Sequence, residues 1–354
     1  MKNIANFVVR NVDLPTICIG KIKNISMKHI IKISSLLIAI SMVIVSCTTK
    51  PQAASKTAIG MPYEAFVLCN NDAWASGIDS ALYRSVGARV AGLPRPESYF
   101  YILGHKSHGE ASTMDRKYAN LISVNIDPVY TEPTLQVEDN VYARPQVVVS
   151  INAPTVQSAK RFIEEYGAEI AGHLEIGERN RSLADSHRSS TPKLMEQFKR
   201  HTGIDMHIPA GFGRANSGDR SLLWFMRDYE KKAQYIFAFS QKYNGPEDFE
   251  GATLERMIIN KLAVVHSDKP GSRMTISQTA PIYWSEVVAN GRLWYELRGC
   301  WEVTFDQMGG PFVSFSTLDE ERGIVTTILF ALYAPEEAQR GLMGELEYLI
   351  YTTK

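Results

Sequence analysis

Cysteine is scarce in this chain: four residues in 354, at positions 18, 47, 69 and 300. No serine sits in a Gly-x-Ser-x-Gly elbow, so the usual serine-hydrolase turn is excluded. The glycine-rich stretch Gly211–Gly218 lacks both the Lys-Ser/Thr pair of a P-loop and the spacing of a dinucleotide fingerprint. No apolar run reaches the roughly 20 residues that span a bilayer. Charge of one sign is also missing overall, with 38 Lys plus Arg against 38 Asp plus Glu. That balance hides an asymmetry. Residues 1–47 hold Lys2, Arg10, Lys21, Lys23, Lys28 and Lys32 against Asp13 alone, which leaves 32 basic and 37 acidic residues beyond them. A mildly acidic remainder argues against nucleic-acid binding, which needs a basic face to displace counterions. Hydrophobic content of 45% is enough for a large core, and the length suits about two domains.

What is present begins at the N-terminus. From Met27, Lys28 and Lys32 precede an apolar stretch over 33–45, which is signal-peptide length. It ends Ile44-Val45-Ser46-Cys47, which resembles the bacterial lipobox. The resemblance implies cleavage before Cys47 and a lipid on its sulfur, with more than one acyl chain for stable anchoring. Residues 1–26 fit no signal peptide, so Met27 is the expected start. The polar, small residues that follow read as a tether over 47–60. They include no acidic cluster, which favours an outer-membrane lipoprotein facing the periplasm.

Two stretches share an order of elements, and the expected fold class is α+β. The reading is two similar units of mainly antiparallel sheet with helices packed on one face, at 61–175 and 204–354, joined by a polar helical connector at 176–203. The first unit opens with an apolar strand at 63–69 and a helix over about 72–87 with Trp74, Ile78, Leu82 and Val86 at helical spacing. Strands near 98–103, 120–127 and 145–152 follow, then a helix after Ala153-Pro154. The second unit has strands near 204–210, 220–228 and 233–241, a helix over 248–265 and a meander. The meander's first strand alternates Leu293, Tyr295, Leu297, Trp301 and Val303 with Arg292, Trp294, Glu296, Arg298 and Glu302. The third, Ile324–Tyr333, is almost wholly apolar and therefore central. A last helix is expected from Ala334-Pro335, with Leu342, Leu346, Leu349 and Ile350 as its buried stripe.

Candidate sites are few. Arg292, Trp294, Glu296, Arg298 and Glu302 share the wetter side of one strand and form a candidate interaction face, with cross-strand ion pairing as the alternative. Cys69 and Cys300 could bridge in an oxidising periplasm or remain two isolated thiols. His105, His108 and Glu110 have metal-ligand spacing without a completing ligand, and they read better as loop residues. His201 and His207 likewise complete nothing. Gly211–Gly218 could cradle an anion, although a hairpin loop explains its glycines as well. No cofactor is expected.

Several motifs together resemble a known family. These are Gly92-Leu93-Pro94-Arg95-Pro96-Glu97, Ala143-Arg144-Pro145-Gln146-Val147-Val148, Leu297-Arg298-Gly299-Cys300-Trp301, Gly309-Gly310-Pro311-Phe312-Val313-Ser314 and Tyr333-Ala334-Pro335. The chain is similar over about 60–354 to a Bacteroidota lipoprotein family classed as domain of unknown function 4837. The resemblance implies a location and an architecture and brings no catalytic residues. The meander and last helix are also loosely similar to the α/β/α sandwich of photosystem extrinsic proteins, a likeness of fold only. The expected function is a lipid-anchored, non-catalytic binding or envelope-assembly protein, with the membrane and an envelope protein as partners. An envelope hydrolase and a small-ligand carrier are the alternatives. An apolar cavity between sheet and helices would mark the carrier.

Overall fold

A computed structural model describes residues 56–215, 218–229 and 231–354. Cys47, the leader and most of the tether lie outside the described residues. Residues 56–60, expected as tether, are already part of the fold: Ala58 N–H donates to Arg144 O at 2.8 Å and Ile59 N–H to Lys117 O at 2.9 Å.

The fold is α+β, with two sheet units. The first sheet has five strands: β1 (Glu64–Cys69), β2 (Tyr101–Lys106), β3 (Asn120–Ile126), β4 (Thr134–Asp139) and β5 (Val147–Ala153), in the order β2-β1-β3-β5-β4. The expected mainly antiparallel pairing does not hold here. Strands β2, β1, β3 and β5 run parallel, and only β4 is antiparallel. The physical sign of this is in the strands themselves. Ala65-Phe66-Val67-Leu68-Cys69 and Val147-Val148-Val149 are continuous apolar runs, as suits parallel strands covered on both sides, whereas an antiparallel strand with one wet face alternates.

Between β1 and β2 runs a kinked helical segment: Asn71–Ala73, a π-helical stretch Trp74–Ile78, and α1 (Asp79–Arg84). The long helix α2 (Val156–His187) follows β5, with Thr155 as N-cap in a reciprocal capping box with Ser158. Its Ala159, Ile163, Ile170 and Leu174 pack with Ile78, Leu82 and Val86 over one sheet face. Most of the polar stretch 176–203 is thus helix that belongs to a unit: α2 continues through 187, and α3 (Pro192–Thr202) packs into the second core through Leu194 and Phe198.

The second sheet is antiparallel throughout. It contains β6 (Gly213–Arg214), β7 (Leu223–Tyr229), β8 (Lys232–Lys242), β10 (Tyr283–Ala289), β11 (Arg292–Val303), β12 (Gly309–Asp319) and β13 (Ile324–Tyr333), in the order β10-β11-β12-β13-β8-β7-β6. The short β9 (Met274–Ile276) pairs with β11. As its composition implies, β13 is central. The stretch 204–210, expected as a strand, has no strand partner and makes a single bridge from Pro209 to Ser190. A two-residue turn, Asn290-Gly291, closes the hairpin β10–β11 with positive φ at both positions (49° and 75°), the geometry that this dipeptide favours.

Helices cover both faces of this sheet. On one side lie α3 and α5 (Gln339–Glu347), which bury Phe198, Met343 and Leu346 against Trp294, Phe315 and Phe330, with Leu349 added from the 3-10 turn after α5. On the other, α4 (Gly251–Leu262) buries Leu254, Met257, Ile258 and Leu262 against Phe237, Trp301 and Phe312. The reason is that β8, β12 and β13 are apolar on both sides, so one layer of helices would leave half of that surface wet.

Candidate functional site

The register of β7 on β8 sets Trp224 opposite Phe237, Met226 opposite Tyr235 and Asp228 opposite Ala233. These residues share the face that α4 covers. Helix α4 lies against β9 and β11, and toward β7 the face opens into a cleft of about 550 Å³. Trp224, Tyr235, Phe237, Trp301 and Tyr333 wall it, with Met226, Met274 and Met308 between them. The rings are packed on one another: Trp224 and Phe237 have centroids 5.6 Å apart, and Tyr235 meets Trp301 edge-on at 5.8 Å. The β7–β8 hairpin end and the loop after α4 supply the polar rim, with Asp228, Lys231, Lys232, His266 and Asp268.

Polar groups in the cleft are only partly matched. Trp301 Nε1 donates to Leu332 O at 3.1 Å, while Trp224 Nε1 is shielded from solvent and has no acceptor among the described residues. Lys231 pairs with Glu336 at 2.8 Å and Lys232 with Glu337 at 3.0 Å. His266 Nδ1 lies 2.6 Å from Ser272 O; a carbonyl only accepts, so Nδ1 carries the proton and Nε2 is left open. Burial, with Asp228 and Tyr333 nearby, pushes the Tyr235 phenol up to about 12. Such a cleft can hold an apolar or aromatic body and offer it a few directed polar contacts.

A second cluster lies at the junction of the two units and is closed. Arg340 and Glu347 on α5, both 5% exposed, pair with each other. Glu347 also accepts from Arg298 at 2.7 Å, and Arg298 pairs with Glu296 at 3.0 Å. From the first unit, Glu175 on α2 pairs with Arg340 at 3.1 Å, and Tyr63 presents its ring 4.0 Å from the Arg340 guanidinium. Tyr63 OH donates to Tyr348 OH at 2.6 Å, and Tyr348 OH donates to Glu175 at 3.2 Å. Burial alone would raise the Glu347 carboxyl, but Arg298 and Arg340 outweigh it and hold it down at about 2. At Glu175 burial, helped by the Glu347 charge, outweighs Arg340 and Arg298 and raises the carboxyl above the usual range. A strap over 92–97 completes the junction. Glu97 accepts the N–H groups of Gln339 (2.8 Å) and Arg340 (2.9 Å) and so caps α5 from outside its own unit. At Gly92 (φ +77°) a Cβ would sit 2.4 Å from Arg298 Cγ.

The candidate interaction face on β11 therefore points inward. Trp294 is fully buried, Arg292 stands 5.7 Å over its ring, and Glu296 and Arg298 belong to the junction; Glu302 is half-buried beside β9. The ion pairs found here run along β11 and up to α5, Arg298 with Glu296 and with Glu347, rather than across strands. Cys69 and Cys300 are two free, buried thiols on different sheets, so the bridge considered for them is absent. Burial raises both, Cys69 to about 12.

His105 stacks on Trp74 at 4.3 Å and contacts Asn71 Oδ1 at 3.0 Å, while Glu110 accepts from Ser107 at 2.7 Å. His108 turns away to Ser123, with Nε2 2.9 Å from Oγ. A Ser–His contact has the first half of a nucleophile's arrangement, yet no carboxylate meets His108 Nδ1 among the described residues. No group of three or more metal-ligating side chains assembles among those residues either. His207 Nε2 lies 2.9 Å from Ser186 O. His201 lines an open hollow of about 420 Å³ with Gln197, Arg200 and Arg214, the last carried on the described part of the glycine-rich hairpin. Among the described residues no helix is long and apolar enough to cross a membrane.

The cleft residues escaped the sequence reading, although a signal for them existed. Trp224 and Met226 alternate on one strand just before Tyr235 and Phe237 alternate on the next.

Comparison with known proteins adds fold context. No curated protein sequence matches the chain. Among solved structures, the chain is similar to the Ran-binding protein Mog1p of Saccharomyces cerevisiae, at 10% identity over 43% of this chain and 89% of that one; with a TM-score of 0.26 the likeness carries no argument. Family models divide the chain between α2 and α3, where one unit gives way to the next. Residues 58–187 match a domain of unknown function, DUF8532, and residues 191–352 match the domain of unknown function DUF4837.

Proposed function

We propose that this chain is a non-catalytic, lipid-anchored binding protein of a Bacteroidota envelope. Cys47 holds it to the outer membrane facing the periplasm, and the aromatic cleft of its second unit is the binding site. The observation that carries the reading is the cleft itself: about 550 Å³ between sheet and helix, walled by aromatic rings, with Trp224 Nε1 left without an acceptor among the described residues. A buried donor without a partner costs stability, and a bound ligand that accepts from it removes that cost. The lipobox-like Ile44-Val45-Ser46-Cys47 supports the anchor.

The test is to isolate the full chain from its own membranes in mild detergent and weigh it intact by native mass spectrometry. The expected result is a protein beginning at acylated Cys47 and carrying a bound small molecule that a Trp224→Ala, Phe237→Ala variant loses. An unmodified Cys47 would remove the anchor from this reading. A bound mass that the cleft variant retains, or none at all, would remove the site.

A further inference from the structure

The charges around the cleft point to the kind of ligand it takes, an inference that rests on the cleft being a binding site. Two of the cations on its rim are already neutralised, Lys231 by Glu336 and Lys232 by Glu337. Lys232 also stands 5.5 Å above the Tyr229 ring, so a cation already uses an aromatic face on this rim. His266 spends its Nδ1 proton on Ser272 O. The two carboxylates are left over. Asp228 on β7 and Asp268 on the loop after α4 both line the cleft, and neither has a hydrogen-bond or ion-pair partner among the described residues. The walls around them are aromatic rings, and the negative quadrupole of a ring attracts cations, more strongly where water is displaced.

We infer that the cleft binds a small organic cation with an apolar shell, such as a trialkylated or quaternary ammonium group, held between the aromatic walls and balanced by Asp228 and Asp268. A volume of about 550 Å³ suits a small molecule rather than a folded partner. Lysine-like primary ammonium groups fit less well, because a compact, strongly hydrated charge gives up more water on entering such walls.

The experiment uses the full-length protein in detergent and two probes of nearly equal shape: choline, and its uncharged isostere 3,3-dimethyl-1-butanol. Binding is read by calorimetry and by tryptophan fluorescence, with N-phenyl-1-naphthylamine as a neutral apolar reporter of the cleft. Choline is expected to bind at least tenfold more tightly than the isostere. Asp228→Asn and Asp268→Asn, both at exposed positions, should each weaken choline about threefold or more and leave isostere and reporter binding unchanged. Equal affinity for the two probes, or choline binding indifferent to both substitutions, overturns the inference. Reporter binding without choline binding also overturns it while leaving the cleft as a site. Absence of reporter and choline binding together overturns both readings.

Discussion

At the junction of the two units, Arg340 and Glu347 lie out of water with the half-buried Arg298 beside them, their charges opposed to one another; among the described residues there, the Nε of Arg340 and the Oε1 of Gln339 lack a partner. In the cleft, Trp224 Nε1, Asp228 and Asp268 stand around a hollow with no partner from the described chain. Both regions combine aromatic rings with charged groups, and both lie against the second sheet. They differ in saturation. A network whose members satisfy each other has no use for a ligand, and its members resist replacement one at a time. An open set of groups loses little when altered, because nothing in the protein depends on it.

Substitutions can press on that contrast. Glu347→Gln should be the most damaging, since it leaves Arg298 and Arg340 facing each other without their shared anion. A loss of about 3–5 kcal/mol is expected, read as a fall in the denaturant midpoint. The loss should depend on pH. Because the folded Glu347 carboxyl is held at about 2, below its ordinary 4.5, its stabilisation is full above about 4.5 and disappears as pH falls through about 2. Wild type and variant should therefore converge in stability across that interval. Parallel curves would mean that the Glu347 charge is not what holds the junction.

Gly344→Ala comes next. A Cβ there would meet Tyr63 OH at 2.1 Å, and that hydroxyl is already committed to Tyr348. The Tyr63 ring or the α5 backbone must give way, at a cost of about 1–3 kcal/mol by thermal unfolding. Removing the external cap with Glu97→Ala should cost about 0.5–2 kcal/mol. Hydrogen exchange should then quicken at the Gln339 and Arg340 amides, and unchanged exchange there would deny the cap its role. Smallest of all should be Asp228→Asn in the cleft, within about 0.5 kcal/mol of wild type. A loss comparable to that of Glu347→Gln would erase the contrast.

Much of the fold was legible in the sequence. The uniformly apolar Ile324–Tyr333 marked the central strand, and the bounds of that strand came out as read. Alternation along 292–303 identified β11. It also misled, because a strand can bury Trp294 on the side that carries its charges when a helix such as α5 lies above. The helix expected from Ala334-Pro335 begins five residues later, at Gln339. Its true cap is Glu97, more than 200 positions away, and no local pattern announces that. Asn290-Gly291 was a local signal for a hairpin, and β10 could have been found from it. Parallel pairing in the first sheet was readable from runs like Val147-Val148-Val149, had their lack of alternation been weighed. The junction was visible only as motifs. Gly92–Glu97 and Leu297–Trp301 each look arbitrary until the close approach of Gly92 to Arg298 brings them together.

The reach of Glu97 to α5 has a further consequence for how the molecule comes apart. Family boundaries cut the chain cleanly between 187 and 191, yet the last helix of the second part draws its first hydrogen bonds from a carboxylate in the first. Neither part is complete at that seam. Heating should thus produce a single melting transition rather than two, and two halves expressed apart would each present a raw surface of orphaned charge. Two separate transitions would mean that the hydrogen bonds from α5 to Glu97 do not couple the two parts.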